Sequence, residues 1–181
     1  MMHMRGDPST MTKMNDYSEY GGDVVRGTRF ELAQRVRAAL DRGVPRWNII
    51  LDPGIGFAKE GAQNFEVLRR LPELTARHIR ASAKHSVVSQ PAAGIPSEES
   101  EEGFLDEDLA TSLANYPVLV GSSRKRFIGQ ATGKTEAKDR VWGTAATVTA
   151  AIQGGASIVR VHDVAEMVDV ARVSDHIYRS K

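Results

Sequence analysis

Short, continuously apolar runs punctuate the chain, and each is followed by a segment whose apolar residues recur at three- and four-residue steps. The runs are Met1–Met4, interrupted by His3, then Asn48–Leu51, Pro117–Val120 and Ser157–Val161. Their length and lack of alternation predict strands buried on both faces. After the first run, Val25, Phe30, Leu32, Ala33, Val36, Ala39 and Leu40 predict a helix over Val24–Arg42. Asp23 stands at its N-cap, and Gly43 and Pro45 supply stop chemistry. Gly27 weakens its first turn by about 1 kcal/mol relative to Ala. Phe65–Leu71 has helical spacing, Glu136–Gln153 carries Val141, Ala145, Val148 and Ile152 on one stripe, and Val164–Ile177 is amphipathic.

Strand and helix therefore alternate in four βα units: Met1–Arg42, Asn48–Leu71, Pro117–Gln153 and Ser157–Arg179. That alternation predicts an α/β fold with a parallel sheet covered by helices. From about Ala83 to Asn115 the composition turns to Ser, Pro and acidic residues, which predicts a solvated polar insertion at about 86–115, with a helical turn near Asp108–Leu113. An apolar start that breaks at Arg5-Gly6-Asp7-Pro8 reads as a strand entered partway, as in a piece of a longer protein.

Composition narrows the class only a little. Among 181 residues, Lys plus Arg number 24 and Asp plus Glu 23, a net charge of +1 that gives no reason to expect a nucleic-acid or membrane partner. No apolar run approaches the ~20 residues of a membrane span. The lack of cysteine removes disulfides, thiolate metal sites and a Cys nucleophile, and suits an intracellular protein.

The polar, glycine-rich clusters all fall just after a predicted strand, on the face where α/β folds build active sites. Asp52 opens Asp52-Pro53-Gly54-Ile55-Gly56-Phe57. It reads either as an Asx turn or as a carboxylate taking two N–H groups of an aminopyrimidine-like edge, with Gly54 and Gly56 giving backbone access and Phe57 a stacking face. Ser122-Ser123-Arg124-Lys125-Arg126 puts hydroxyls and cations at a strand-to-helix junction, which is either a solvated basic turn or an anion site. Arg160 and His162 alternate on one strand, so both side chains project to one side, as two donors to a phosphate would. His3 stands apart and reads as a satisfied core histidine.

MHMRG, DPGIGFAK, GSSRKRFIG and RVHD, in this order and each at a strand end, together resemble dihydropteroate synthase. WGTAATVTAAIQGGA resembles that family's penultimate helix, and Arg126 with the insertion resembles its fungal versions. The resemblance implies a (β/α)8 barrel of folate synthesis, of which residues 1–181 supply the last four βα units. It implies condensation of 6-hydroxymethyl-7,8-dihydropterin pyrophosphate with p-aminobenzoate. Met2, Asp52, Phe57, Gly121 and Lys125 match pterin-contacting positions. Ser123, Lys125 and Arg126 match the p-aminobenzoate side, and Arg160 and His162 match the pyrophosphate side. Mg²⁺ is implied as cofactor, its protein ligand lying on a strand upstream of this chain. A homodimer is implied as well, in the cytoplasm, or in mitochondria for a fungal-type fused enzyme. Two other classes stand beside this reading: a non-catalytic half-barrel that binds pterin or phosphate or dimerises, and a methyltetrahydrofolate-type pterin-binding barrel. The latter has no use for Arg160 and His162, since its substrate carries no pyrophosphate.

Overall fold

Four extended segments lie side by side in chain order, all parallel, in the computed structural model, which describes residues 1–7, 9–75, 113 and 115–179. The first pairs Met2 with Asp52, through His3 N–H to Asp52 O at 2.8 Å and Asp52 N–H to Met1 O at 2.8 Å. The second pairs Leu51 with Val118, and β1 (Leu119–Val120) then pairs with β2 (Ile158–Val159) in the register Leu119↔Ile158. This order is what right-handed βαβ crossovers of a parallel sheet produce. The outward carbonyls of the first segment, Met2 and Met4, accept from the Arg35 guanidinium, so that edge is capped by a side chain.

The predicted strand Asn48–Leu51 is corrected. Arg46–Asn48 form a 3₁₀ turn, and the parallel bridges fall on Leu51 and Asp52. Pro45 starts that turn with φ −63°, and its carbonyl takes the Asn48 N–H at 3.0 Å.

The helices follow the spacing more closely. Helix α1 spans Val24–Asp41, and Asp23 caps it by accepting from Val25 N–H at 2.8 Å and Arg26 N–H at 3.0 Å. Helix α2 spans Gly61–Arg69, starting four residues before Phe65, because Glu60 and Gln63 close a capping box. A short helix α3 follows at Pro72–Thr75. Helix α4, Arg126–Thr132, is absent from the sequence reading. Its seven residues give too little periodicity to see, and packing fixes it instead: the Phe127 ring meets Phe65 edge-on at 5.0 Å. The predicted helix from Glu136 divides into a 3₁₀ turn, Ala137–Arg140, and α5, Val141–Gln153. Helix α6 spans Val164–Tyr178.

One buried cluster joins Val25, Leu32 and Val36 of α1 to Leu51, Val67, Val118, Val120 and Phe127. Each such side chain contributes about 1.5–3 kcal/mol by leaving water. A second cluster, Val148, Ile152 and Met167, holds α5 to α6. Val164, Val173 and Ile177 of α6 are exposed. The predicted insertion at about 86–115 lies outside the described residues apart from Leu113 and Asn115.

Candidate functional site

Two parallel strand ends, those at Asp52 and Val120, carry facing loops, and the predicted site residues group around them. Asp52 does two things. Its Oδ1 accepts Gly54 N–H at 2.8 Å, which is the Asx turn, while Oδ2 takes no hydrogen bond from the described residues. Burial holds this carboxyl above the usual carboxylate range; the Gly54 N–H, Lys125 and Lys59 all work to keep it ionised. The turn reverses through left-handed conformations at Gly54, Gly56 and Ala58, with φ of +67°, +78° and +48°.

From the second loop, Lys125 reaches across this turn. Its Nζ donates to Ile55 O and lies 4.6 Å from the centre of the Phe57 ring. Burial pushes Lys125 down to about 8, with Asp52 opposing and Arg160 adding to the fall. The three cations at the junction diverge. Arg124, at φ +60°, donates to Asp163 Oδ2 at 3.1 Å, and Arg140 holds its carbonyl at 2.8 Å. Lys125 turns to the Asp52 loop, and Arg126 is exposed at the start of α4. The strand end fixes these directions, because each cation meets a different acceptor: the α6 N-cap carboxylate, a loop carbonyl, or water.

The two serines also part. Ser122 Oγ lies 2.7 Å from Thr147 Oγ1 on α5. Ser123 Oγ is buried, accepts His162 N–H at 3.2 Å and lies 3.0 Å from His162 Nδ1. Arg160 and His162 are both exposed, and a Cβ at Gly121 would stand 3.6 Å from Arg160 Cβ. The structure thus joins Met2 to Asp52 by backbone pairing, Phe57 to Lys125, Ser123 to His162 and Gly121 to Arg160. No contact joins Arg126 to the others among the described residues.

Beneath the loop lies a buried polar chain absent from the sequence reading, apart from His3. His3 is fully buried, with Nε2 at 3.1 Å from Glu31 Oε2 and Nδ1 at 2.9 Å from Lys59 Nζ. Glu31 also accepts Arg5 Nε–H at 2.7 Å, and Arg5 lies 4.2 Å over the Tyr17 ring. These neighbours assign the tautomer: Nε2–H donates to Glu31 and Nδ1 accepts from the ammonium. Burial drives His3 down to about 4, against the pull of Glu31. Burial alone would raise Glu31, but hydrogen bonds from His3 and Arg5 hold it at about 2.

The folded value of His3 lies below its unfolded value near 6.5, so its contribution is present above that pH and is lost as pH falls from about 6.5 to 4, about 3 kcal/mol in all. Glu31 acts in the same sense between 4.5 and about 2, and Asp52, raised by burial, in the opposite sense. The melting temperature is expected to fall between pH 7 and pH 4.5, while the His3 ring resonance stays untitrated above pH 5. A flat melting curve or an ordinary imidazole titration would contradict the neutral assignment.

Among the described residues no three His, Asp or Glu side chains converge in a group that could hold a metal ion. No helix among them is long and apolar enough to cross a membrane.

Comparison with known proteins adds the frame. Over 179 residues the chain is 38% identical to the Folic acid synthesis protein fol1 of Pneumocystis carinii, covering 99% of this chain and 19% of that one. It is 38% identical over 179 residues to the Dihydropteroate synthase of Synechocystis sp., covering 99% of this chain and 48% of the relative. The crystal structure of dihydropteroate synthase from Thermus thermophilus in complex with 4-aminobenzoate superposes with a TM-score of 0.70 at 32% identity, covering 98% of this chain and 53% of that one. The chain therefore spans about half the length of these two bacterial proteins, and its fold is that of the (β/α)8-barrel family. The sequence pattern described as "Pterin binding enzyme" matches residues 1–162, from the first strand to the His162 that meets Ser123. With that span matched and the Asp52 loop within it, the chain belongs to the pterin-binding enzyme family.

Proposed function

We propose that residues 1–181 form the C-terminal half of a dihydropteroate synthase, the last four βα units of its barrel, with the polar segment at about 86–115 as an insertion. The observation that carries this reading is Asp52, whose Oδ2 accepts nothing from the described residues, set beside Lys125 and Phe57 on a glycine turn. A carboxylate oxygen that accepts nothing from the described residues suits a ligand that offers paired N–H donors. The Phe57 ring and the Lys125 ammonium suit a flat heterocycle that carries a carbonyl.

In this reading Met2, Asp52, Phe57, Gly121 and Lys125 bind the pterin of 6-hydroxymethyl-7,8-dihydropterin pyrophosphate. Ser123, Lys125 and Arg126 border p-aminobenzoate, and Arg160 and His162 hold the pyrophosphate. The C–O bond to the pyrophosphate breaks first, leaving positive charge on the pterin methylene that the Asp52 carboxylate stabilises. The aryl amine then attacks that carbon and loses a proton, giving 7,8-dihydropteroate and pyrophosphate. Arg160 and His162 act electrostatically on the departing charge. The protein ligand of Mg²⁺ belongs to the upstream half of the barrel. A homodimer goes with this reading, as does an intracellular enzyme, cytoplasmic or mitochondrial.

The test is a chimaera that joins this chain to the upstream half of the Synechocystis relative. It is expected to release pyrophosphate only when both the pterin pyrophosphate and p-aminobenzoate are supplied; pterin binding without turnover would support the non-catalytic alternative. In the same chimaera, Arg160→Ala is expected to weaken the pterin pyrophosphate by about 1.5–3 kcal/mol, one charge-assisted bond, and to leave 6-hydroxymethyl-dihydropterin unchanged. Calorimetry with both ligands decides it, because equal weakening would make Arg160 a support of the fold.

A further inference from the structure

Lys59 closes the DPGIGFAK motif, yet its ammonium points away from the open face of the site, into the protein. The residue is 9% exposed. Its Nζ lies 2.9 Å from His3 Nδ1, 3.2 Å from Phe57 O and 3.3 Å from Gly54 O, so three acceptors surround three protons. Resting on the pterin reading above, we propose that Lys59 is a positioning residue of the pterin site: its ammonium fixes the Gly54–Phe57 turn from below, bonding the same Gly54 whose N–H holds Asp52, and so sets a positive charge behind that carboxyl.

The Gly54–Phe57 turn is closed by its own backbone through Phe57 N–H to Gly54 O at 3.0 Å. Left-handed residues at Gly54, Gly56 and Ala58 leave its carbonyls without partners in a strand or helix ladder. Lysine ammonium groups bond three of them: Phe57 O and Gly54 O, the latter shared with the Phe57 N–H, go to Lys59, and Ile55 O goes to Lys125. The two lysines approach from different segments, so the turn is clamped between them. Lys125 lies at the ligand side and is free to exchange its carbonyl for a substrate atom. Lys59 is enclosed and has no such exchange open to it.

Its third partner is oriented in turn. Glu31 fixes the ring of His3, and Arg5 fixes Glu31, so the ammonium sits at the end of a rigid chain. The charges that act on Lys59 are Asp52 and Glu31, which favour its protonated form, and Lys125 and Arg5, which oppose it. Burial brings it down to about 7. An ammonium so enclosed is costly, and a hydrophobic side chain would fill the space at less cost. What it supplies that a hydrophobe cannot is positive charge near the Asp52 carboxyl together with three directed bonds.

The test uses the 181-residue chain itself. Lys59 ¹⁵Nζ and the Asp52 ¹³C carboxyl are followed by NMR from about pH 3 to about 9, and each resonance is expected to report the other's titration. Lys59→Met is expected to raise the Asp52 midpoint by about one pH unit and to speed amide exchange at Gly56 and Phe57 by about tenfold. Lys59→Arg is expected to restore the midpoint. Independent titrations in the unmutated chain, or an unchanged Asp52 midpoint in a folded Lys59→Met protein, overturn the proposal. Should Lys59→Met fail to fold, the titrations of the unmutated chain decide alone. In the chimaera, Lys59→Met is expected to weaken 6-hydroxymethyl-dihydropterin by about tenfold, and undiminished affinity overturns the positioning role. If the unmutated chimaera binds no pterin, the pterin reading fails, while the Lys59–Asp52 coupling is still decided by the titration.

Discussion

Asp52→Asn is expected to lower pterin affinity by about two orders of magnitude or more and to leave the fold in place. The two side chains are nearly isosteric, and the asparagine Oδ1 still accepts the Gly54 N–H that closes the turn. The change falls on the other atom. Oδ2, which accepts nothing from the described residues, becomes an amide nitrogen with two donors. A ligand edge that presents N–H groups then meets N–H groups. One charge-assisted pair, worth about 1.5–3 kcal/mol, is lost, and a buried donor is left unsatisfied at a further cost of about 1–3 kcal/mol. The half-buried carboxylate and its two neighbouring lysines also lose their balance, since Lys59 and Lys125 both depend on Asp52 for opposing charge. Calorimetry on the chimaera gives the affinity, and a thermal melt shows whether the fold is kept. Affinity within twofold of the parent, with an unchanged melt, would reduce Asp52 to a turn residue.

That outcome bears on how much the sequence disclosed. From residues alone Asp52 has two readings, a turn closure or a ligand carboxylate, and nothing local decides between them. The geometry shows why: Oδ1 closes the turn and Oδ2 is left over, so the readings do not compete. Features governed by local chemistry were legible. The Asp23 cap and the Gly43 stop, with φ +81°, depend only on neighbours in the chain, and α1 has those ends. Helix α4 was not legible, because seven residues carry too little period and its stability comes from Phe127 against Phe65, sixty-two positions away. Lys59 was hidden for a related reason. Its partner His3 is 56 residues upstream, and a lysine at the end of a glycine loop looks solvated until the first strand is laid beside it. The cation cluster was legible as composition and misleading as geometry, since adjacent residues at a strand end point in different directions.

Gly54→Ala is expected to cost more than the same change at any other left-handed glycine whose surroundings are open. Gly54 has φ +67°, and a Cβ built on it would stand 1.9 Å from the His3 carbonyl oxygen. That oxygen belongs to backbone, and it has nowhere to go. His3 N–H is bonded to Asp52 O, and the His3 ring is held between Glu31 and Lys59. To admit a methyl group, the first strand must leave the second, giving up both backbone bonds that join them at about 0.5–1.5 kcal/mol each. The left-handed backbone adds about 1–2 kcal/mol for any residue with a Cβ. The sum is about 2–5 kcal/mol, enough to unfold a marginal chain. Gly21 supplies the control: its φ is +68°, and nothing lies within 4 Å of its Cβ position, so Gly21→Ala bears the backbone cost alone. Denaturant midpoints for both variants, read at equal slope, isolate the steric part. Equal costs would mean that the first strand does not press on the Asp52 turn, and with it would go the rigidity on which both the pterin site and the Lys59 clamp depend.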